Sequence, residues 1–377
     1  MKSKISLAHS SLHIEYMPGI HKMRAAEAKA AKQLDNVQWD VYIASPTDKY
    51  QNENILYVPV FRFLSSFFKK DNVFNFYLKR LSTFNMLLVR IKYYLFVNKL
   101  TQKYDYVLLR YNSADFCAYR FLKRRHKILS YHHCNDIEEL KLYSKIGSLI
   151  ERLTRKSHQR GYLGIVGITP EIVDIASEGI QVKKKCVLTN GMLIDPGQQQ
   201  HFKERPEKIK FVMISSVYHA YQGLELLIES IKKAQYEDFE VHFAGNMKDH
   251  QLRLVRSSDK CVYDGIIDSD KVQEYLQNFT MGIGPLALSI KGIKQASALK
   301  VGEYLLSGLP VVVDYEETRF PADFPYIYKT KAPIDFDKII EYSIKMNAVS
   351  KEKIASDAAQ YLNHVSIMKA FIKSIID

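Results

Sequence analysis

Between Gly284 and Asp314 the residue types follow an order that suits the binding of an anion. An apolar, strand-like segment, MGIGPL (281–286), leads into a loop carrying Lys291 and Lys294. Three small residues follow, Ala296, Ser297 and Ala298, and then a helix-forming run, ALKVGEYLLSG (298–308). Gly308 and Pro310 end that helix before the next apolar segment, LPVVVD (309–314). Ser297 is a favoured N-cap residue, so the helix is predicted to start just after it. The amides of Ala298, Leu299 and Lys300 would then open the first turn without intrahelical partners, at the positive end of the helix dipole. Phosphate oxygens match such an end, and the small residues would let a diphosphate approach the backbone. Lys300 adds a cation where the dipole alone favours an acid, which suits a bound anion; by residue type it reads equally as a solvated lysine. Glu303, about one turn on, has the two oxygens that a ribose diol needs, and reads equally as a surface glutamate.

Other groups have the right chemistry at the ends of strand-like segments. Lys22 and Arg24 follow the turn Pro18-Gly19 and could neutralise phosphate, or could be plain surface cations. His132 and His133 close the segment ILSYHH before the acidic stretch Asp136-Ile137-Glu138-Glu139; each is a candidate contact to a sugar or a structural histidine. No Ser/His/Asp or Cys/His arrangement competes with them. Cys117, Cys134, Cys186 and Cys261 are widely spaced, which indicates neither a zinc site nor a disulfide framework and fits a reducing cytoplasm.

The elements needed to position these groups alternate along the chain. WDVYIAS (39–45), NILYVPV (54–60), YDYVLLRY (104–111), HKILSYHH (126–133) and LGIVGIT (163–169) read as buried strands, with an alanine-rich helix at 21–34. KIKFVMISS (208–216), FEVHFAG (239–245), CVYDGII (261–267), 281–286 and 309–314 repeat the theme, with helices at 223–234 and 298–308. Such alternation predicts α/β domains with parallel sheets covered by helices on both faces. The polar segment LIDPGQQQHFKERPEK (193–208) reads as a linker, which places two Rossmann-like, doubly wound domains at 1–196 and 197–377. The last helical stretch, 351–377, is free to pack on either.

Hydrophobic residues make up 47% of the 377 and charged residues 25%, enough for a sizeable core in each half. The net charge of +13 favours a polyanionic partner. No nucleic-acid module accompanies it, which argues against nucleic acid. The N-terminal residues read as a first strand rather than a signal peptide, and no uncharged run reaches the length of a membrane span. Residues 60–103 mix aromatic and aliphatic residues with nine lysines and arginines and the single acid Asp71. That mixture predicts peripheral contact with an anionic membrane, or helices packed on a sheet with a solvated basic face.

The run Ala296-Ser297-x-Leu299-Lys300-x-x-Glu303-Tyr-Leu-x-x-Gly308-x-Pro310-Val-Val resembles a signature of glycosyltransferase family 4 and related GT-B enzymes, including those of polysaccharide assembly. Thr189-Asn190-Gly191, Tyr221-Gln222-Gly223, Ala244-Gly245-Asn246 and Tyr104-Asp105 to Arg110-Tyr111 resemble further family segments in the expected order. The resemblance implies a GT-B fold with two Rossmann-like domains facing across a cleft. It also implies transfer of a sugar from a nucleotide diphosphate sugar to a saccharide or lipid-linked acceptor, with retention and without a metal or other cofactor. By the same resemblance, Ser216, Gln222, Gly223, Ser297, Ala298, Leu299 and Lys300 would hold the diphosphate and Glu303 the ribose. Gln295, His132 and His133 would lie near the donor sugar. Cytoplasmic residence, in part on the inner face of the cell membrane, follows. Two positions depart from the pattern: Gln295 stands where the family has the first glutamate of its pair, and Gln222 where it has a phosphate-binding lysine. Lys291, Lys294 or Lys300 would then supply the cation. A catalytically degenerate partner subunit and a GT-B sugar-nucleotide epimerase remain as alternatives.

Overall fold

The computed structural model describes residues 4–14, 17–46, 48–59, 75–194 and 202–377. The chain divides into two compact units, Met1–Leu193 with His364–Asp377, and Ile194–Asn363.

The first unit runs β1 (Ile5–Leu12), α1 (Pro18–Ala31), β2 (Val37–Ser45), β3 (Leu56–Pro59), α2 (Asn75–Lys103), β4 (Tyr106–Arg110), α3 (Ala118–Phe121), β5 (Ile128–His132), α4 (Asp136–Tyr143), α5 (Lys145–Gln159), β6 (Gly164–Gly167), α6 (Pro170–Ser177) and β7 (Lys184–Val187). Among the described residues its strands form one parallel sheet in the order β3-β2-β1-β4-β5-β6-β7. Side chains alternate across a strand, and here the alternation fills two cores. Ala8, Val107, Leu109 and Ile128 face one side, with Val89, Tyr93, Val97 and Leu100 of α2. Leu7, Leu108, Leu129 and Val166 face the other, with Ala28 and Ala31 of α1. The described side chains of the basic-aromatic segment therefore belong largely to a helix packed on the sheet. Residues 60–74 of that segment lie outside the described residues. So do residues 195–201 of the expected linker.

The second unit runs β8 (Ile209–Val217), α7 (Leu224–Lys233), β9 (Phe239–Asn246), α8 (Asp249–Val255), β10 (Cys261–Gly265), α9 (Val272–Leu276), β11 (Met281–Ile283), β12 (Gln295–Ala296), α10 (Leu299–Leu306), β13 (Val311–Val313), β14 (Glu316–Glu317), β15 (Ile327–Lys329), α11 (Phe336–Met346) and α12 (Lys351–Leu362). Its main sheet is also parallel, in the order β10-β9-β8-β11-β13-β15. Strands such as Val311–Val313, buried throughout, are uniformly apolar because helices cover both faces. Phe211, Met213, Val241, Phe243 and Ile283 pack against Leu227, Ile228 and Ile231 of α7 and Phe336, Ile339 and Ile340 of α11.

The expected terminal helix is two helices, with Asn363 between α12 and α13 (His364–Ile376). Helix α13 completes the first unit: Met368, Phe371, Ile372 and Ile375 share a core with Trp39 of β2. The joint is tight, since a Cβ at Gly191 would lie 2.6 Å from Cα of His364.

Candidate functional site

In an open parallel sheet, ligands bind beyond the carboxyl ends of the strands, where the chain's winding direction reverses. In the second sheet that point lies between β8 and β11, and the residues around it come from three loops and one helix end.

The loop after β8 is held against the loop after β11 by main-chain bonds, Leu286 N to Gln222 O (3.1 Å) and Ala287 N to Tyr221 O (3.2 Å). Gly223 makes the approach feasible. Its φ is +76°, and a Cβ there would stand 2.9 Å from Cβ of Leu286. Above it, Tyr221 stacks on His219 and carries the Lys291 ammonium over its ring at 4.6 Å.

Helix α10 begins one residue later than the N-cap expectation. Ala298 is the N-cap, without a side-chain cap, and Ser297 is buried ahead of it. The Ala298 amide is also not open to a ligand, because it donates to Oε2 of Glu317 at 3.0 Å. Arg319 completes this fastening: Nε meets Oε1 of Glu317 at 2.7 Å and Nη2 donates to the Ala298 carbonyl at 2.6 Å. The Glu317–Arg319 pair is wholly buried. It was not foreseen from sequence, although two opposite charges two residues apart beside buried Tyr315 and Phe320 were the visible signal. Of the first-turn donors, Val301 N reaches Ala298 O, while the amides of Leu299 and Lys300 meet no chain acceptor among the described residues.

Lys300 projects back to the loop after β8, where Nζ donates to Oε1 of Gln222 at 2.9 Å. Burial drives its ammonium down to about 7, with Glu303 pulling the other way. The structure thus joins Gln222, Gly223, Leu299, Lys300 and half-buried Glu303 in one neighbourhood. Asp314, at the end of β13, accepts from Leu288 N at 3.0 Å. Its Oδ1 has no partner among the described residues, and burial raises its carboxyl. Ser216 lies exposed at a β-bulge. Gln295 sits on the small parallel ladder β12–β14 and donates from Nε2 to Glu316 at 3.2 Å.

The first-unit candidates separate. His132 is buried, bonded to Ser130 Oγ (3.0 Å) and Asp136 Oδ2 (3.1 Å) and stacked on Tyr111 at 4.2 Å. It belongs to the internal packing. His133 points elsewhere, against Tyr131 at 4.2 Å, with Nε2 unpartnered and its pKa well below the usual value through burial and then the charge of Arg110. Arg24, which the sequence allowed as a surface cation, is 3% exposed. Among the described residues, no group of three His, Cys, Asp or Glu side chains is placed to hold a metal ion, and no helix is long and apolar enough to cross a membrane.

No protein-family model and no curated protein sequence matches the chain. Solved structures match it along nearly its whole length. A glycosyltransferase from Rickettsia africae is 14% identical, covering 99% of this chain and 99% of that one at a TM-score of 0.59. TarM, from S. aureus, is 12% identical over 98% and 99%, at 0.65. HepE from Anabaena, solved with UDP and glucose, is 10% identical over 98% and 99%, at 0.59. At these identities the likeness shows the fold: two parallel-sheet, Rossmann-like units in the GT-B arrangement of elements.

Proposed function

We propose that the chain is a glycosyltransferase that moves a sugar from a nucleotide diphosphate sugar to a saccharide or lipid-linked acceptor. The observation carrying this reading is the start of α10. Two chain-unpartnered amides, Leu299 and Lys300, lie at the winding reversal of the second sheet beside an ammonium that Gln222 holds in place. The leaving diphosphate would gain charge as the sugar departs, and these donors would stabilise it. Glu303 would take the ribose hydroxyls. Gln222 departs from the family's lysine, and in this reading Lys300 supplies the cation with Gln222 as its support.

Membership of family 4, retention and transfer without a metal or other cofactor come from the sequence resemblance. UDP is the first nucleotide to try, because HepE was solved with UDP and glucose and a TarM variant with UDP. In the first unit, His133 is the better candidate for a sugar contact, since His132 is consumed by packing. Gln295 favours a second reading, a degenerate partner subunit, because its amide is bonded to Glu316.

A membrane-bound acceptor on the cytoplasmic face draws support from α5. That helix turns Ser148, Glu151, His158 and Gln159 inward and leaves Ile146, Leu149 and Leu153 outward at 73, 57 and 72% exposure, among exposed Lys145, Arg152 and Lys156. Its inner face is anchored to the unit, as by the bond from Tyr111 Oη to Glu151 at 2.7 Å, and its apolar face suits an anionic bilayer.

The test is calorimetry with UDP and GDP, followed by turnover of UDP-, GDP-, dTDP- and CMP-sugars. Binding of a nucleoside diphosphate with slow release from its sugar supports a transferase. Binding without any turnover supports the partner subunit, and no binding of any nucleotide rejects both.

A further inference from the structure

We infer that the first unit has a phosphoryl-binding site of its own, formed by Arg24, Arg110, His13 and His133 beyond the carboxyl ends of β1, β4 and β5. The winding of the first sheet reverses between β1 and β4, so this is the place where that sheet receives ligands. His13 follows β1 there, Arg110 ends β4 opposite Tyr131, and His133 follows β5.

Arg24 is the floor of the site. Its Nη1 donates to Glu27 Oε2 at 2.5 Å and lies 3.3 Å from His9 Nδ1, while Nε and Nη2 are buried with no partner among the described residues. A buried guanidinium edge left open is costly, and proteins rarely leave one without a ligand or water to fill it. Arg110 stands close to it. Burial lowers the Arg110 pKa, and the charge of Arg24 is the next largest cause. The acid that Arg110 senses, Asp136, is already engaged with His132. Two like charges are therefore held together with the Arg24 donors Nε and Nη2 open, an arrangement that an intervening anion relieves.

His13 and His133 complete the ring. Both are held neutral, chiefly by burial, His13 down to about 2, and both have an Nε2 that no group among the described residues engages. Two guanidiniums and two ring nitrogens outnumber the two oxygens of a carboxylate. They suit a tetrahedral dianion, and arginine forks match phosphate geometry. All four residues belong to the first unit. If the transfer reaction proposed above holds, the phosphoryl group belongs either to the acceptor or to the donor's diphosphate.

Trp39, the single tryptophan of the chain, reports on the site because Nε1 donates to Glu27 Oε1 at 2.9 Å. The full chain is titrated with inorganic phosphate, with glycerol 1-phosphate and with glycerol, following tryptophan emission and heat. Saturable binding of both phosphates but not of glycerol is expected, and Arg110→Gln should weaken it at least about tenfold, as loss of a charge-assisted hydrogen bond does, with an unchanged melting temperature. Arg24→Gln is the second variant, scored only if it melts as a folded protein. The titrations are repeated in saturating UDP. Simultaneous binding assigns the phosphoryl group to the acceptor, and then Arg110→Gln leaves UDP affinity unchanged. Mutual exclusion assigns it to the donor, and then UDP affinity falls with it. Absence of phosphate binding, or equal binding by Arg110→Gln, overturns the site whatever UDP does. Failure of both UDP and GDP to bind the parent protein, with phosphate binding intact, overturns the transferase reading and leaves the site standing.

Discussion

The ammonium of Lys300 donates to the side-chain oxygen of Gln222 at 2.9 Å, tying the first turn of α10 to the loop after β8. Burial lowers the Lys300 pKa to about 7. A diphosphate bound beside it would favour the charged form, so binding should take up a proton. Nucleotide affinity is expected to fall as pH rises above 7, by up to about tenfold per unit. Calorimetry in buffers of different ionisation heat checks the proton count, and Lys300→Met should abolish the dependence.

The same shift has a stability consequence of opposite sign. The unfolded chain holds the Lys300 proton more tightly than the folded one between about 7 and the ordinary lysine value of 10.5, so this group's contribution rises with pH across that window. In the ligand-free protein, Lys300→Met should therefore raise the melting temperature more at pH 6 than at pH 9.5. An equal shift at both values would mean that the ammonium is well solvated.

Glu303→Ala should weaken nucleoside diphosphate binding by about 10- to 100-fold, the worth of one or two hydrogen bonds to a charged acceptor. Its half-buried position predicts little change in melting temperature. Affinity for the nucleoside diphosphate that stays at the parent level would remove Glu303 from the site.

Gln295→Glu sets a second carboxylate across the β12–β14 ladder from Glu316. Like charges directly opposite cost about 0.2–1 kcal/mol. The melting temperature should drop by about a degree or two at low salt and recover in part at high salt, which screens the pair. Gln295→Glu with Glu316→Gln should melt like the parent in both.

Replacing Leu149 and Leu153 together by asparagine should leave the melting temperature nearly unchanged, because both side chains are exposed. Sedimentation with vesicles containing anionic lipid should fall several-fold, and equal sedimentation would reject α5 as the membrane face.

The parallel sheets were legible because their strands are short apolar runs separated by helical patterns, as at Val311–Val313 and Ile128–His132. Strand β7 was missed because Lys184 and Lys185 disguise it: it lies at the sheet edge and only Cys186 is buried. The start of α10 was read one residue early for a physical reason. Ser297 has the residue type of a cap, but the Ala298 amide is bound by Glu317, 19 residues on, and no local pattern encodes that contact. The Arg24 neighbourhood escaped notice likewise. His9, Glu27 and Trp39 are scattered in sequence and meet only once α1 lies on the sheet.

Helix α13 lies beyond all of the second unit in the chain, yet it closes the core of the first. During synthesis on the ribosome, some 170 residues of the second unit must emerge before Phe371 can reach Trp39. The leading half therefore waits with part of one face of its sheet open while the trailing half is already free to fold. A nascent chain arrested before His364 should bind chaperones through that open face, and release should coincide with the arrival of the last thirteen-residue helix.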